Sequence, residues 1–175
     1  MRLSPSTEWS TTGEREPSGL KDKEALILGA GGAARAIAVG LARREARIII
    51  ASRTPERADE LAHRCKGKSV AWGLRHSVKC DLIVNCTPVG MHPNLDETPY
   101  EQKHLKPEMV VFDTVYNPEH TLLLKSAREV GCRVITGVDM FVGQAALQFK
   151  LFTGREAPTE LMRQVFRRSI SAVKY

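Results

Sequence analysis

Residues 29 to 36 read Gly-Ala-Gly-Gly-Ala-Ala-Arg-Ala, directly after the apolar run Ala25-Leu26-Ile27-Leu28. This is a strand that runs into a glycine-rich turn and then a helix. Gly29, Gly31 and Ala34 fit the pattern G-x-G-x-x-G/A. In that pattern the first glycine lets the chain leave the strand in a tight turn. The second lets backbone approach a pyrophosphate, and the third small residue lets the helix pack close to the strand. The helix start then offers free N–H groups and a positive dipole end to phosphates.

Glycine-rich turns also serve purely structural ends, and the context decides here. Ala34, Ile37, Ala38 and Leu41 recur at helical spacing, and a further apolar strand, Arg47-Ile48-Ile49-Ile50-Ala51, follows. The result is a strand–helix–strand unit, which favours dinucleotide binding over a structural turn.

The tip of the second strand chooses the cofactor. NAD-binding units place an acid about twenty residues after the fingerprint, on the ribose 2′-hydroxyl. Here the strand ends Ala51-Ser52-Arg53-Thr54-Pro55-Glu56-Arg57, with two arginines and two hydroxyls at the tip. A guanidinium forks onto a phosphate and a hydroxyl donates to it, which suits the 2′-phosphate of NADP. Thr54 reads as a helix N-cap and Pro55 as the first helical residue. Arg57 then lies in a first turn, where the dipole disfavours a cation. A bound anion would compensate. Either arginine alone would read as a solvated surface charge; the pair at this spot favours NADP.

The chain has 175 residues, enough for one domain with a core. Its apolar runs are far shorter than a membrane span, and no secretory signal opens it. The four cysteines form no C-x-x-C pair, and the five histidines do not cluster with acids at metal-ligand spacing. No metal is therefore expected, and the cysteines fit a reduced, cytoplasmic protein. The net charge of +6 could suggest nucleic acid, but the basic residues are scattered and no basic–aromatic interleaving occurs. Anionic small-molecule ligands account for the balance.

Residues 1–20 are rich in Ser, Thr, Glu, Pro and Gly and read as a flexible lead-in or the remnant of an interdomain segment. Residues 21–175 read as the NADP-binding domain. Strands are expected at 25–28, 47–51, 69–72, 81–85, 109–113 and 133–136, and helices at 32–44, 55–66, 119–130, 139–152 and 158–173. This alternation predicts an α/β fold, a Rossmann-type doubly wound parallel sheet of about six strands.

Three motifs mark the second half. Asn85-Cys86-Thr87-Pro88-Val89-Gly90-Met91 follows a buried strand. Asp113-Thr114-Val115-Tyr116-Asn117-Pro118 follows another. Gly137-Val138-Asp139-Met140-Phe141-Val142-Gly143-Gln144 opens a helix. With these in order behind the glycine turn, the chain from about residue 20 onward resembles the C-terminal NADP-binding domain of shikimate dehydrogenases. The stretch from Gly137 to Gly154 looks most like enzymes fused behind a dehydroquinate dehydratase.

The resemblance implies a role for each motif. Gly29, Ala30, Gly31, Gly32 and Ala33 would hold the pyrophosphate. Ser52, Arg53, Thr54 and Arg57 would hold the adenosine 2′-phosphate, with Ser52 standing where the family usually carries asparagine. Thr87 and Pro88 would lie near the adenosine, and Thr114 and Gly137 on the nicotinamide side. Tyr116 and Gln144 would face the shikimate or 3-dehydroshikimate substrate. The residues themselves leave alternatives open. Gln144 shares a helical stripe with Met140, Leu147 and Leu151, where an amide needs partners if buried. It is either a buried glutamine bonded to backbone or a substrate contact. Tyr116 is equally a packing tyrosine with a wet tip. Asp113 reads as structural, bonding loop N–H groups.

Reduction of a carbonyl by hydride needs a proton donor beside the oxygen. In the family a lysine and an aspartate of an N-terminal substrate domain do this. The lysine's segment has no counterpart here. Ser6-Thr7-Glu8-Trp9 is a faint echo of the aspartate's Asn-Thr-Asp motif, altered at two of three positions and too close to the turn, so no catalytic residue is assigned. The chain reads as half an enzyme that lacks its substrate domain. A stand-alone NADP-binding module or sensor is the alternative. A related oxidoreductase, such as quinate dehydrogenase or glutamyl-tRNA reductase, is the third reading; the motifs at 113–118 and 137–144 oppose the last of these.

Overall fold

The computed structural model describes residues 19–172. In chain order these form β1 (Glu24–Leu28), α1 (Gly32–Ala42), β2 (Arg47–Ser52), α2 (Pro55–Arg64), β3 (Lys68–Ala71), β4 (Leu82–Asn85), β5 (Val110–Asp113), α3 (Leu122–Val130), β6 (Arg133–Ile135), α4 (Gly137–Thr153) and α5 (Thr159–Ala172). Two 3-10 turns, Trp72–Ser77 and Gln102–His104, lie in the connections into β4 and β5. The strands make one parallel sheet in the order β3-β2-β1-β4-β5-β6. The doubly wound α/β sheet of six strands expected from the sequence is the fold observed.

Strand side chains alternate between two faces, and both faces are covered. Ala25, Ile27, Ile48 and Ile50 pack with Ala34 and Ala38 of α1 and Ala58, Leu61 and Ala62 of α2. Leu26, Leu28, Ile83 and Val111 pack on the opposite face with Leu123, Leu124 and Ala127 of α3. The helices that face the first set carry small residues, so backbone and sheet approach closely. The strand order reverses between β1 and β4, which opens a crevice at the carboxyl ends of the strands. The pairings Leu28 with Ala51, Leu28 with Asn85, and Asn85 with Asp113 bring four strand tips level along this edge.

Element boundaries differ from the sequence reading where local chemistry intervenes. Helix α2 ends at Arg64, because Lys66 adopts a positive φ of 53°. Helix α3 begins at Leu122 and not at 119, because the Thr121 side chain accepts the Leu124 N–H as an N-cap. Helix α4 begins at Gly137, two residues earlier than expected. Thr136 caps it, with Asp139 completing a reciprocal capping box. Trp72 leaves β3 and enters a 3-10 turn.

Candidate functional site

A cleft of about 240 Å³ opens at the switch point. Gly29, Ala30 and Gly31 form its floor, Ser52, Arg53, Thr54 and Arg57 one wall, and Cys86, Thr87, Pro88 and Val89 the other. Trp72 closes the side beyond β3. A shallower hollow of about 260 Å³ continues past Arg53 along the loop from Pro88 to Glu97.

The glycine turn shows why the sequence is small here. Gly29 has φ +105°, and a Cβ on it would lie 3.0 Å from the Cys86 carbonyl oxygen. Its N–H donates to Ala51 O at 2.7 Å, and Cys86 N–H donates to Leu28 O at 2.8 Å, which locks the three strand tips. Gly31 and Gly32 differ from it. A Cβ on either would meet nothing within 4 Å. The packing of the described residues therefore does not require a glycine at either position. Gly31 caps α1 without a side-chain hydrogen bond, and the first turn contains no acid. The N–H groups of that turn form the positive end of the dipole with no protein anion beside them.

The lip of the cleft gathers Ser52, Arg53, Thr54 and Arg57, the four residues expected at the 2′-phosphate. Thr54 is the N-cap of α2 and Pro55 its first residue, but the Thr54 side chain accepts no cap bond. The Thr54 N–H donates to Ser52 Oγ at 3.2 Å, which fixes the turn. Arg53 and Arg57 are exposed and enter no ion pair among the described residues. Two unpaired guanidiniums and an uncapped hydroxyl thus border one hollow.

The opposite wall is held by a buried network. Asn85 donates through Nδ2 to Asp113 Oδ1 at 3.0 Å and to Val89 O at 3.3 Å. Its Oδ1 accepts from Thr87 N–H at 3.0 Å and Thr87 Oγ1 at 2.7 Å. Asp113 also accepts from Val115 N–H at 3.0 Å and from Thr121 Oγ1 at 2.7 Å. Asp113 therefore bonds loop and cap groups, the structural role read from the sequence. Burial nonetheless pushes its carboxyl up to about 6, against the lowering effect of its three donors. Burial also pushes the Cys86 thiol up to about 12, with Asp113 adding to it, so this cleft cysteine stays protonated and inert.

The remaining sequence-predicted residues do not line the cleft. Gly32 and Ala33 lie exposed in the first turn of α1. Thr114 and Gly137 meet each other beyond the tip of β5. A Cβ on Gly137 would lie 2.4 Å from Val115 O and 2.7 Å from Thr114 O, so packing alone requires this glycine. Tyr116 is 45% exposed and packs against Phe141 and Phe166, ring centroids 6.0 and 5.6 Å away. Gln144 is exposed, which removes the buried-glutamine reading. Leu147 and Leu151 on its stripe are exposed as well. Glu8 lies outside the described residues.

Two features escaped the sequence reading. Trp72 belongs to the cleft, held by Arg75, whose guanidinium lies 4.3 Å from the indole centroid. The histidines also do meet an acid: His76, Glu101 and His104 bring their ligand atoms within 4.8 Å of one another. Their separation in sequence hid them.

The strand order, the glycine turn and the cleft at the switch point define a Rossmann domain. The family model "Shikimate / quinate 5-dehydrogenase" matches residues 12–113, and the model "Shikimate 5'-dehydrogenase C-terminal domain" matches residues 137–165. The chain belongs to the shikimate / quinate 5-dehydrogenase family. It is 44% identical over 168 residues to the shikimate dehydrogenase (NADP(+)) of Moorella thermoacetica, covering 90% of this chain and 56% of that protein. It is 42% identical over 151 residues to the chloroplastic bifunctional 3-dehydroquinate dehydratase/shikimate dehydrogenase of Arabidopsis thaliana, covering 85% of this chain and 25% of that one. The crystal structure of shikimate 5-dehydrogenase from Thermus thermophilus in complex with NADP(H) and shikimate superposes with a TM-score of 0.77. There the identity is 35%, over 86% of this chain and 56% of that one. The chain thus spans about half the length of the single-function relatives it matches.

Proposed function

We propose that residues 21–175 are the NADP-binding half of a dehydrogenase that reduces 3-dehydroshikimate to shikimate in aromatic amino acid biosynthesis. The unpaired Arg53 and Arg57 beside an uncapped Thr54, with no acid at the tip of β2, carry this reading. The open space over Gly31 and Gly32 supports the fit of a pyrophosphate. When bound, NADPH supplies the hydride.

The chain's own residues bind and orient. The backbone from Gly29 to Ala33 receives the pyrophosphate on the first turn of α1. Ser52, Arg53, Thr54 and Arg57 select the 2′-phosphate. Thr87 and Pro88 border the adenosine, held by the Asn85–Asp113 network. Thr114 and Gly137 form the nicotinamide side, and Tyr116 and Gln144 reach toward the substrate. The proton donor comes from a substrate domain outside this unit. That domain docks on the apolar residues that α4 and α5 leave uncovered, among them Leu147, Leu151 and Phe152. The setting is the reducing cytoplasm, in keeping with four free thiols. No helix among the described residues is long and apolar enough to cross a membrane.

Calorimetric titration with NADP+ and NAD+ tests the proposal. Charge-assisted hydrogen bonds contribute about 1.5–3 kcal/mol each, so NADP+ should bind roughly tenfold or more tightly. Arg53→Ala should weaken NADP+ and leave NAD+ unchanged. Equal affinities for the two cofactors would overturn it.

A further inference from the structure

The group His76, Glu101 and His104 lies apart from the residues assigned to cofactor and substrate. Two 3-10 turns create it. In a 3-10 turn, residues three apart eclipse each other. The His104 N–H donates to Glu101 O at 3.1 Å, so the Glu101 and His104 side chains leave the turn on one side. The other turn delivers His76. Arg75 anchors that turn by donating from Nε to Pro99 O and from Nη1 to Trp72 O, both at 2.7 Å. The two imidazoles stack with centroids 4.5 Å apart and planes within 10°. His76 Nδ1 lies 4.0 Å from Glu101 Oε1.

We propose that His76, His104 and Glu101 bind a divalent transition metal of the zinc class, clipping the β3–β4 connection to the β4–β5 connection. Two imidazole nitrogens and one carboxylate oxygen are a borderline donor set that suits zinc, with a further position left for water. Magnesium and calcium prefer oxygen ligands. The donors lie within 4.8 Å of one another. Zinc bonds of about 2.0–2.2 Å draw such atoms to roughly 3.4 Å apart. The side chains close this gap by rotation, because His76 and His104 are half-buried and Glu101 is exposed.

Three existing interactions give way. The parallel imidazole stack opens, because each nitrogen lone pair lies in its ring plane and two parallel planes cannot both aim at one ion. Lys103 Nζ leaves Glu101, an exposed pair at 2.6 Å that contributes little. The Glu101 N–H contact to His76 Nε2 is long at 3.3 Å. It is released when one ring nitrogen takes the metal and the other carries the proton. Because the same turn carries Trp72, the metal also fixes one wall of the cleft.

The test is calorimetric titration of zinc chloride into the full chain, with magnesium chloride as control and the thermal midpoint as a second readout. One saturable zinc site is expected, with no magnesium heat. His104→Gln and His76→Gln should each weaken zinc at least tenfold. Zinc should raise the midpoint of the unsubstituted chain and of neither variant. Absence of saturable zinc binding would overturn the proposal. So would undiminished affinity in either variant, or equal binding of magnesium.

Discussion

Helices α3 and α4 both follow a strand, both begin with a capping threonine, and they treat apolar surface in opposite ways. Helix α3 has nine residues and buries Leu123, Leu124, Ser126 and Ala127. Helix α4 has seventeen and buries only Gly137, Val138 and Val142, all in its first two turns. Its far half presents Leu147, Leu151 and Phe152 to solvent, and no residue of α5 with a described side chain is fully buried. What joins α4 to α5 is specific and local. Phe141 stacks on Phe166 at 4.0 Å and Asp139 pairs with Arg163, while Arg167 ties α5 to the β5–α3 connection by clasping Glu119 at 2.6 and 2.9 Å. The sheet with α1, α2 and α3 is thus closed on itself. The α4–α5 corner is fixed in place but leaves its apolar face open, as a docking surface would.

The largest effect should come from the closed region. Leu123 is fully buried in the core of the α3 face. Leu123→Ala should cost about 2–5 kcal/mol in urea unfolding, the range for a buried leucine that leaves a cavity. A cost well under about 1 kcal/mol would mean that this face is not sealed by α3.

Two glycines sharpen the comparison between packing and binding. Gly137→Ala forces a Cβ against fixed backbone at 2.4 Å and should destabilise by about 1–3 kcal/mol or more. Gly31→Ala enters open space at φ −81°, so it should cost less than about 1 kcal/mol in stability while weakening NADP+ severalfold. Thermal unfolding and calorimetry on the two variants separate the roles. A Gly31→Ala protein with unchanged NADP+ affinity would remove the pyrophosphate from that turn.

The sequence made the closed region legible because its signals are local. Continuous apolar runs located the strands, helical spacing located the helices, and the glycine turn located the switch point. Arg57 stood out because a cation in a first helical turn breaks a local rule, and Arg53 because it stands at a strand tip where an acid would select NAD. What stayed hidden was non-local. His76 and Glu101 are 25 residues apart and meet only because two irregular turns converge. Trp72 read as the end of a strand, and its place in the cleft depends on where β3 stops. The stripe of Gln144, Leu147 and Leu151 was visible as a face, but periodicity says only that residues share a side. It does not say whether that side is covered.

Asp113 gives a smaller effect with a defined sign. Its folded pKa, about 6, lies above the ordinary value of 3.8, so the native state binds the proton first. Stability from this group rises as pH falls through about 6 and levels off near the ordinary carboxylate range. Between pH 7 and pH 5 the gain is about 1 kcal/mol by linkage. Asp81, Glu101 and Asp139 have lowered values and act in the opposite direction. The Asp113 contribution is therefore read as a difference. Asp113→Asn, though less stable at both pH values, should lose relative to the unsubstituted chain on going from pH 7 to pH 5. Parallel profiles would mean that the three donors, and not burial, set the Asp113 pKa.

The smallest effect on the isolated chain is expected in the open region. Leu151 and Phe152 stand 81% and 87% exposed. Replacing both with glutamine should change stability by no more than about 0.5 kcal/mol, as for other surface sites. Docking reverses this expectation. Burying a leucine or phenylalanine side chain contributes about 1.5–3 kcal/mol, so the double variant should bind a supplied substrate domain at least tenfold more weakly. The NADP+ affinity of the isolated chain should not change, since neither residue touches the cleft. Unfolding in urea and a binding titration with the substrate domain of a relative measure the two quantities. A destabilisation above about 2 kcal/mol in the isolated chain would show that the chain itself covers the stripe. The contrast between α3 and α4 would then fail as evidence for docking. Unchanged stability with unchanged docking would place the partner's surface elsewhere on the domain.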